Sequence, residues 1–304
     1  MSETFKAGFV AIVGRPNTGK STLINALVGE KIAIISDKPQ TTRSLIRGMV
    51  NSEDSQILLV DTPGIHKPKT ALGSRLNELS RESISEVDVI VMCIPADQKI
   101  GPGDKYIVEE LSKYKKPKIA LVTKSDATSK EQILERLVEI NSELLLDWNE
   151  IIPISSKNLD NINLLKNKLV ELLPYSPPLY PTDISTDQTI EVRISEMIRE
   201  AALKDLREEL PHSVAVIIDE MFEAESRKGT ILKIFASLYV ERDSQKSILI
   251  GTQGSRLKEI GTKARADIEA IVEKSVFLDL RIKVASDWQS DPKLLTKLGF
   301  DPYN

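Results

Sequence analysis

This 304-residue sequence predicts a mostly parallel α/β domain followed by a smaller α+β domain, on three observations. Short apolar runs alternate with amphipathic helical patterns up to about residue 173. Strands that alternate with helices pair in parallel, with helices on both faces of the sheet. Next, Pro174-Tyr175-Ser176-Pro177-Pro178-Leu179-Tyr180-Pro181 puts four prolines into eight residues, through which no helix continues. Beyond that stretch the order of elements changes to helix, two strands, two helices and a strand.

In the first part the expected strands are 9–13, 45–50, 56–60, 88–94, 118–122 and 151–154, and the expected helices 20–28, 73–84, 104–114, 130–145 and 161–172. The second part predicts a helix over 188–209, strands at 213–219 and 230–240, and helices at 243–249 and 255–273. A last strand is expected at 276–284. The domains read as 6–173 and 188–304, with 174–187 a semi-rigid proline spacer.

A formal charge of −4 excludes a uniformly basic nucleic-acid binder. The single cysteine, Cys93, lies in the run Val89-Ile90-Val91-Met92-Cys93-Ile94 and reads as a buried strand residue in a reducing compartment. The N-terminus lacks a signal-peptide apolar core, and no run approaches the roughly 18 apolar residues of a membrane span, so an intracellular, soluble protein is expected.

Gly14-Arg15-Pro16-Asn17-Thr18-Gly19-Lys20-Ser21 fits the phosphate-loop pattern, after an apolar strand and before an amphipathic helix. The glycines let successive N–H groups point inward, and the helix N-terminus adds partial positive charge. Lys20 is placed for the β- and γ-phosphates and Ser21 for Mg²⁺. Asp61-Thr62-Pro63-Gly64 follows the next apolar strand, where Asp61 can hold Mg²⁺ and the Gly64 N–H can reach a γ-phosphate.

Thr123-Lys124-Ser125-Asp126 and Ser155-Ser156-Lys157 each follow a strand. Asp126 can accept from guanine N1–H and N2–H₂, a pair adenine does not offer, and a backbone N–H of the second loop can meet guanine O6. Either loop alone is ordinary; in this order they point to GTP rather than ATP. In Pro39-Gln40-Thr41-Thr42-Arg43, Thr42 is the expected residue closing over Mg²⁺ and the γ-phosphate, with Thr41 as the alternative. Catalysis draws on Lys20, Thr42, Gly64 and Asn17. Ile65 stands where signalling GTPases carry a water-orienting glutamine, so slow intrinsic hydrolysis is expected. Asn17 offers an oxygen through which K⁺ could replace an arginine finger.

In the second part Gly251-Thr252-Gln253-Gly254-Ser255-Arg256-Leu257-Lys258 is a G-x-x-G loop between two helical segments. Such a loop lets a backbone approach nucleic-acid phosphates, and the element order is that of a type II KH domain. Residues 181–304 carry 18 Lys and Arg against 22 Asp and Glu, yet 242–265 carry six basic against two acidic residues. The local basic face fits single-stranded RNA, carried by Gly251, Thr252, Gln253, Gly254, Ser255, Arg256 and Lys258.

The motifs G-R-P-N-T-G-K-S, Q-T-T-R, D-T-P-G, T-K-S-D and S-S-K resemble the five signatures of translation-factor-related GTPases, and more narrowly the Era family of ribosome-assembly GTPases. Glu209-Leu210-Pro211-His212-Ser213-Val214-Ala215-Val216 and Lys283-Val284-Ala285-Ser286-Asp287-Trp288, with Leu298-Gly299-Phe300, are similar to that family's KH-domain start and C-terminal signature. The resemblance implies an α/β P-loop GTPase domain followed by an α+β type II KH domain. It also implies a monomeric, Mg²⁺-dependent GTPase in the cytoplasm that binds GTP and GDP. Its partners would be the 16S rRNA 3′ region and the 30S subunit during subunit maturation, and peripheral association with the cytoplasmic membrane face is a further family trait. Thr123 departs from the usual asparagine, which bears on one base contact and on a tether to the phosphate loop. The alternative reading is a membrane-associated regulatory GTPase whose second domain contacts protein or lipid.

Overall fold

In the computed structural model the first sheet contains β1 (Lys6–Val13), β2 (Ile46–Asn51), β3 (Ser55–Asp61), β4 (Val89–Pro95), β5 (Lys118–Thr123) and β6 (Glu150–Pro153), in the order β2-β3-β1-β4-β5-β6. All neighbours pair in parallel except β2 with β3. The described residues are 4–35, 46–61, 71–204, 206, 213–226, 229–286, 288, 289 and 295. The chain divides into two units, Met1–Asp187 and Gln188–Asn304.

The helices of the first unit are α1 (Lys20–Val28), α2 (Ala71–Glu86), α3 (Pro102–Leu111), α4 (Lys130–Glu143) and α5 (Ile162–Leu172). Val10, Ile12, Leu59 and Val91 face α1 and α5, in a cluster with Leu23, Leu27, Leu165 and Leu169. Ala11, Val13, Ile90 and Met92 face the opposite way, with Ile84 of α2, Ile107 of α3 and Ile140 of α4. Strands covered on both faces need apolar residues at every position, which is why these read as unbroken hydrophobic runs. Helix α3 starts at Pro102 and ends at Leu111, three residues before the expected end. Its first turn is fixed by Pro102 at N1 and by the Asp104 carboxylate, which accepts from the Gly101 N–H at 2.9 Å.

The proline segment is not a free spacer. Pro174 O accepts from the Ala7 N–H at 3.2 Å, and Ser185 O accepts from the Met49 N–H at 2.8 Å on the outer edge of β2. Between them, the fully buried Gln56 side chain accepts from the Leu179 and Tyr180 N–H groups at 2.8 and 3.0 Å. Its amide nitrogen donates to Tyr180 O at 2.9 Å. The segment's carbonyls take N–H donors from β1 and from the edge strand β2, while the one buried amide both accepts from its N–H groups and donates to its carbonyl.

The second unit holds α6 (Ile190–Leu203), β7 (Ala215–Ser226), β8 (Gly229–Val240), α7 (Asp243–Ile250), α8 (Ser255–Val272) and β9 (Ser275–Val284). The sheet order is β7-β8-β9, antiparallel and then parallel. Strand β7 continues seven residues past its expected end. The register shifts between Ile218 and Glu220, and the bulged Asp219 accepts a hydrogen bond from Ser237 Oγ. A bulge tolerates the polar pair that broke the apolar alternation. Ile198, Leu238, Leu249, Ile260 and Ile268 are buried, and Trp288 is sealed in with its Nε1 donating to Ser213 O at 3.1 Å.

Candidate functional site

Four of the five sequence motifs of the first unit begin at the carboxyl ends of β1, β3, β5 and β6, as open parallel sheets place their ligands, and Q-T-T-R at 40–43 lies outside the described residues. The loop after β1 is tightly determined. Gly14 has φ 151°, and a Cβ there would lie 2.8 Å from both Cys93 O and Thr18 Oγ1. Asn17 takes a left-handed backbone with φ 64°, which asparagine tolerates better than most residues. Gly19, at φ 92°, caps α1 and turns the helix N-terminus toward the loop. Thr18 is buried and its Oγ1 donates to Arg15 O at 3.0 Å. The Arg15 side chain turns away and meets the fully buried Asp104 at 2.8 Å, so residue 15 offers a phosphate its backbone only.

Lys20 is buried, its Nζ donating to Gly14 O at 3.2 Å and Arg15 O at 2.8 Å across the loop. Burial pushes the Lys20 pKa down, against the pull of the Asp61 carboxylate. Ser21 Oγ donates to Asp61 Oδ2 at 3.0 Å, so the two expected metal ligands stand together. A hydroxyl beside a carboxylate is a hard-oxygen set that fits Mg²⁺. Beneath the loop, burial raises the Cys93 thiol to about 12, which leaves it chemically inert.

On the base side Thr123 keeps the tether that its substitution for asparagine put in question. Its Oγ1 donates to Thr18 O at 2.7 Å, joining β5 to the phosphate loop through a shorter side chain. Lys124 adopts φ 58°, and its Nζ lies 3.5 Å from Asp97. Asp126 sits in the 3₁₀ turn Ser125–Ala127, where its Oδ1 accepts from Ser155 Oγ at 2.7 Å. The fully buried Ser155 hydroxyl in turn accepts from the Asn158 N–H at 3.0 Å, and the Ser125 N–H donates to Ile154 O at 3.2 Å. The two base loops are thus bonded to each other, with Ser156 half-buried and Lys157 exposed on the second. Thr41, Thr42, Thr62, Pro63, Gly64 and Ile65 lie outside the described residues.

In the second unit, the loop between α7 and α8 is a 3₁₀ turn, Thr252–Gly254. Gly251 has φ 72°, and a Cβ there would meet Arg256 Cβ at 2.7 Å and Arg256 N at 3.0 Å. Gly254 has φ 79° with nothing within 4 Å of its would-be Cβ. Thr252, Gln253 and Ser255 are exposed, and so is Lys258. Arg256 instead donates from Nη2 to Lys204 O at 2.5 Å, after the end of α6.

Beside this loop runs a cleft of about 550 Å³ between α8 and β9. It is lined on the helix by Gly254, Leu257, Lys258, Gly261, Thr262 and Arg265, and on the strand by Phe277–Leu280. Lys258, Thr262 and Arg265 fall at i, i+4 and i+7, one face of a helix. Gly261 keeps the floor low, and β9 pairs only with β8 among the described residues. The sequence reading missed this wall, and with it Ser155 as the support of Asp126. The helical spacing from Lys258 to Arg265 was the available signal; the strand's contribution had none.

Residues 9–124 match the family described as 50S ribosome-binding GTPase, and residues 209–289 match the KH domain. Over 299 residues the chain is 54% identical to GTPase Era of Mycobacterium tuberculosis, covering 97% of this chain and 99% of that one. It is 52% identical over 301 residues to GTPase Era of Nocardioides sp., covering 97% and 96%. Two solved structures superpose at TM-score 0.92 and 37% identity, each over 97% of this chain and 99% of the other. One is an Aquifex aeolicus Era variant bound to GDP·AlF4⁻. The other is Era in complex with MgGDPNP and nucleotides 1506–1542 of 16S ribosomal RNA.

Proposed function

This chain belongs to the Era family of GTPases, and from that premise we propose that it is a GTP-driven switch that binds the 3′ region of 16S rRNA and acts in 30S subunit assembly. The observation that carries the reading is one chain with an enclosed phosphate loop in its first unit and an open glycine loop beside a cleft in its second. The Era complex with MgGDPNP and 16S nucleotides supports it. The description as a 50S ribosome-binding GTPase covers 9–124 only, which excludes the cleft, and so does not bear on the RNA chosen.

In this reading Lys20 exchanges two carbonyls for the β- and γ-phosphates, trading neutral acceptors for charged ones. Ser21 and Asp61 would hold Mg²⁺, whose chemistry there is to neutralise charge on the phosphate oxygens. Asp126, oriented by Ser155, accepts from guanine, and the backbone of 155–157 meets O6. Thr42 and Gly64 would close on the γ-phosphate and release after hydrolysis. Isoleucine at position 65 cannot orient water by hydrogen bonding, so intrinsic turnover is slow. Asn17 would present its side-chain oxygen to K⁺. Equal rates in K⁺ and Na⁺, or a K⁺ effect surviving Asn17→Ala, would remove that role.

The test is equilibrium binding of a 16S 3′-end RNA to the full chain and to Gly251→Asp with Gly254→Asp. The expected result is RNA affinity lost in the double variant with GTP affinity kept. Unchanged RNA affinity would overturn the KH assignment.

A further inference from the structure

One face of the three-stranded sheet is packed: Leu232, Ile234, Ala236, Leu238 and Val240 of β8 all point into the core. The opposite face presents three phenylalanines, with Phe235 in ring contact with each of the other two. The rings of Phe222 and Phe235 lie 6.2 Å apart at 19°, and those of Phe235 and Phe277 lie 6.0 Å apart at 57°. Phe222 is 45% and Phe277 47% exposed, so a contiguous aromatic surface stays in water. Single exposed apolar side chains are ordinary, but a joined patch of them marks a site of contact. The register aligns Phe222, Lys233 and Phe277 across the three strands, and Lys233 Nζ lies 5.9 Å from the Phe222 ring centre.

Phe277 also belongs to the wall of the cleft, so the patch begins where the cleft ends. We infer that single-stranded RNA leaving the cleft crosses β9 at Phe277 and stacks unpaired bases on Phe277, Phe235 and Phe222, a second subsite adjoining the first. The inference rests on the RNA reading above. A KH loop clamps about four nucleotides, and a longer strand must continue over one rim or the other. Aromatic faces accept any base, so this subsite adds affinity and length dependence rather than sequence choice.

The charges around the patch say how it binds. Asp279 stands opposite Phe235 and lies 3.8 Å from Arg281, and Lys283, opposite Tyr239 on the same face, lies 3.6 Å from Asp219. Glu220 is also opposite Phe235. With cations and carboxylates so balanced, phosphates gain little here beyond Lys233. The contribution is stacking, and it should leave the salt dependence of binding nearly unchanged.

The experiment compares two labelled RNA oligonucleotides on the full chain, one of about four nucleotides and one extended by about three at either end. The extended strand should bind more tightly, on the order of tenfold per stacked base. Phe222→Ser with Phe235→Ser should cut that gain to what one base stacked on Phe277 supplies, while leaving the short oligonucleotide's affinity and the salt slope unchanged. Phe222→Tyr, which keeps a stacking face and the fold, should retain the gain. Equal affinity for long and short strands, or a gain undiminished in the double serine variant, overturns the inference. So does a gain lost in Phe222→Tyr, or one that vanishes with salt as a phosphate contact would. Failure of the short oligonucleotide to bind the parent chain instead strikes the RNA reading itself. Capture of a protein on this face, with no length dependence for RNA, also decides against the inference.

Discussion

The two glycine loops of this chain, one in each unit, are built in opposite ways. The loop at Gly14–Ser21 is packed from beneath: a Cβ at Gly14 would strike Cys93 O, Lys20 is buried, and Thr123 ties the loop to β5. At the Gly251–Gly254 loop a Cβ on Gly251 would meet Arg256 and Ser255 of the helix that follows, and one on Gly254 would meet nothing within 4 Å. An enclosed anion is held by many fixed donors at once, so its loop must be rigid on every side. A polymer has to lie across its loop and leave again, so the loop needs a close approach on one side only.

The first way to break this comparison is to put the same methyl group in both loops. Gly14→Ala should reduce GTP affinity beyond detection by calorimetry, as should Lys20→Ala, because neither the clash nor the lost cation can be absorbed. Gly254→Ala should leave a folded protein, destabilised by about 1–2 kcal/mol through left-handed strain alone. Comparable damage from both alanines would erase the distinction.

The next effect in size sharpens the enclosed side. Asp126→Asn should weaken GTP binding by about a hundredfold or more and admit xanthosine triphosphate, read by competition between the two nucleotides. A variant that still prefers guanine would put base selection elsewhere than Asp126. Smallest is Thr123→Val, which removes the hydroxyl bonded to Thr18 O. About 1 kcal/mol, or several-fold in GTP affinity, is expected, and Thr123→Asn should restore it.

The same contrast explains what could be read from the sequence. The phosphate loop, Asp61, Asp126 and the strands beneath them were legible because each lies within a few residues of its own signal: an apolar run, a glycine, a carboxylate at a strand end. The strap at 174–186 was legible as prolines, but its docking depends on Gln56, whose partner Tyr180 is 124 residues away. The loop 155–157 read as a backbone donor, and the Ser155 side chain's hold on Asp126 depends on β5 and β6 lying side by side. In the second unit the G-x-x-G loop was local and visible. The cleft wall at Phe277–Leu280 exists only once β9 pairs with β8 and α8 packs beside it. Arg256 read as an RNA ligand from its place in the loop, yet in the fold it bonds Lys204 O. Local chemistry was recoverable, and long-range pairing was not.

The most direct measurement of the central claim is RNA crosslinking to the small ribosomal subunit, once with a non-hydrolysable GTP analogue and once with GDP. Crosslinks from residues 251–258 to the 3′ end of 16S rRNA, stronger with the analogue, are the predicted result. Scattered crosslinks that ignore the nucleotide would contradict it, leaving the enclosed loop a GTP site and the open loop without its RNA.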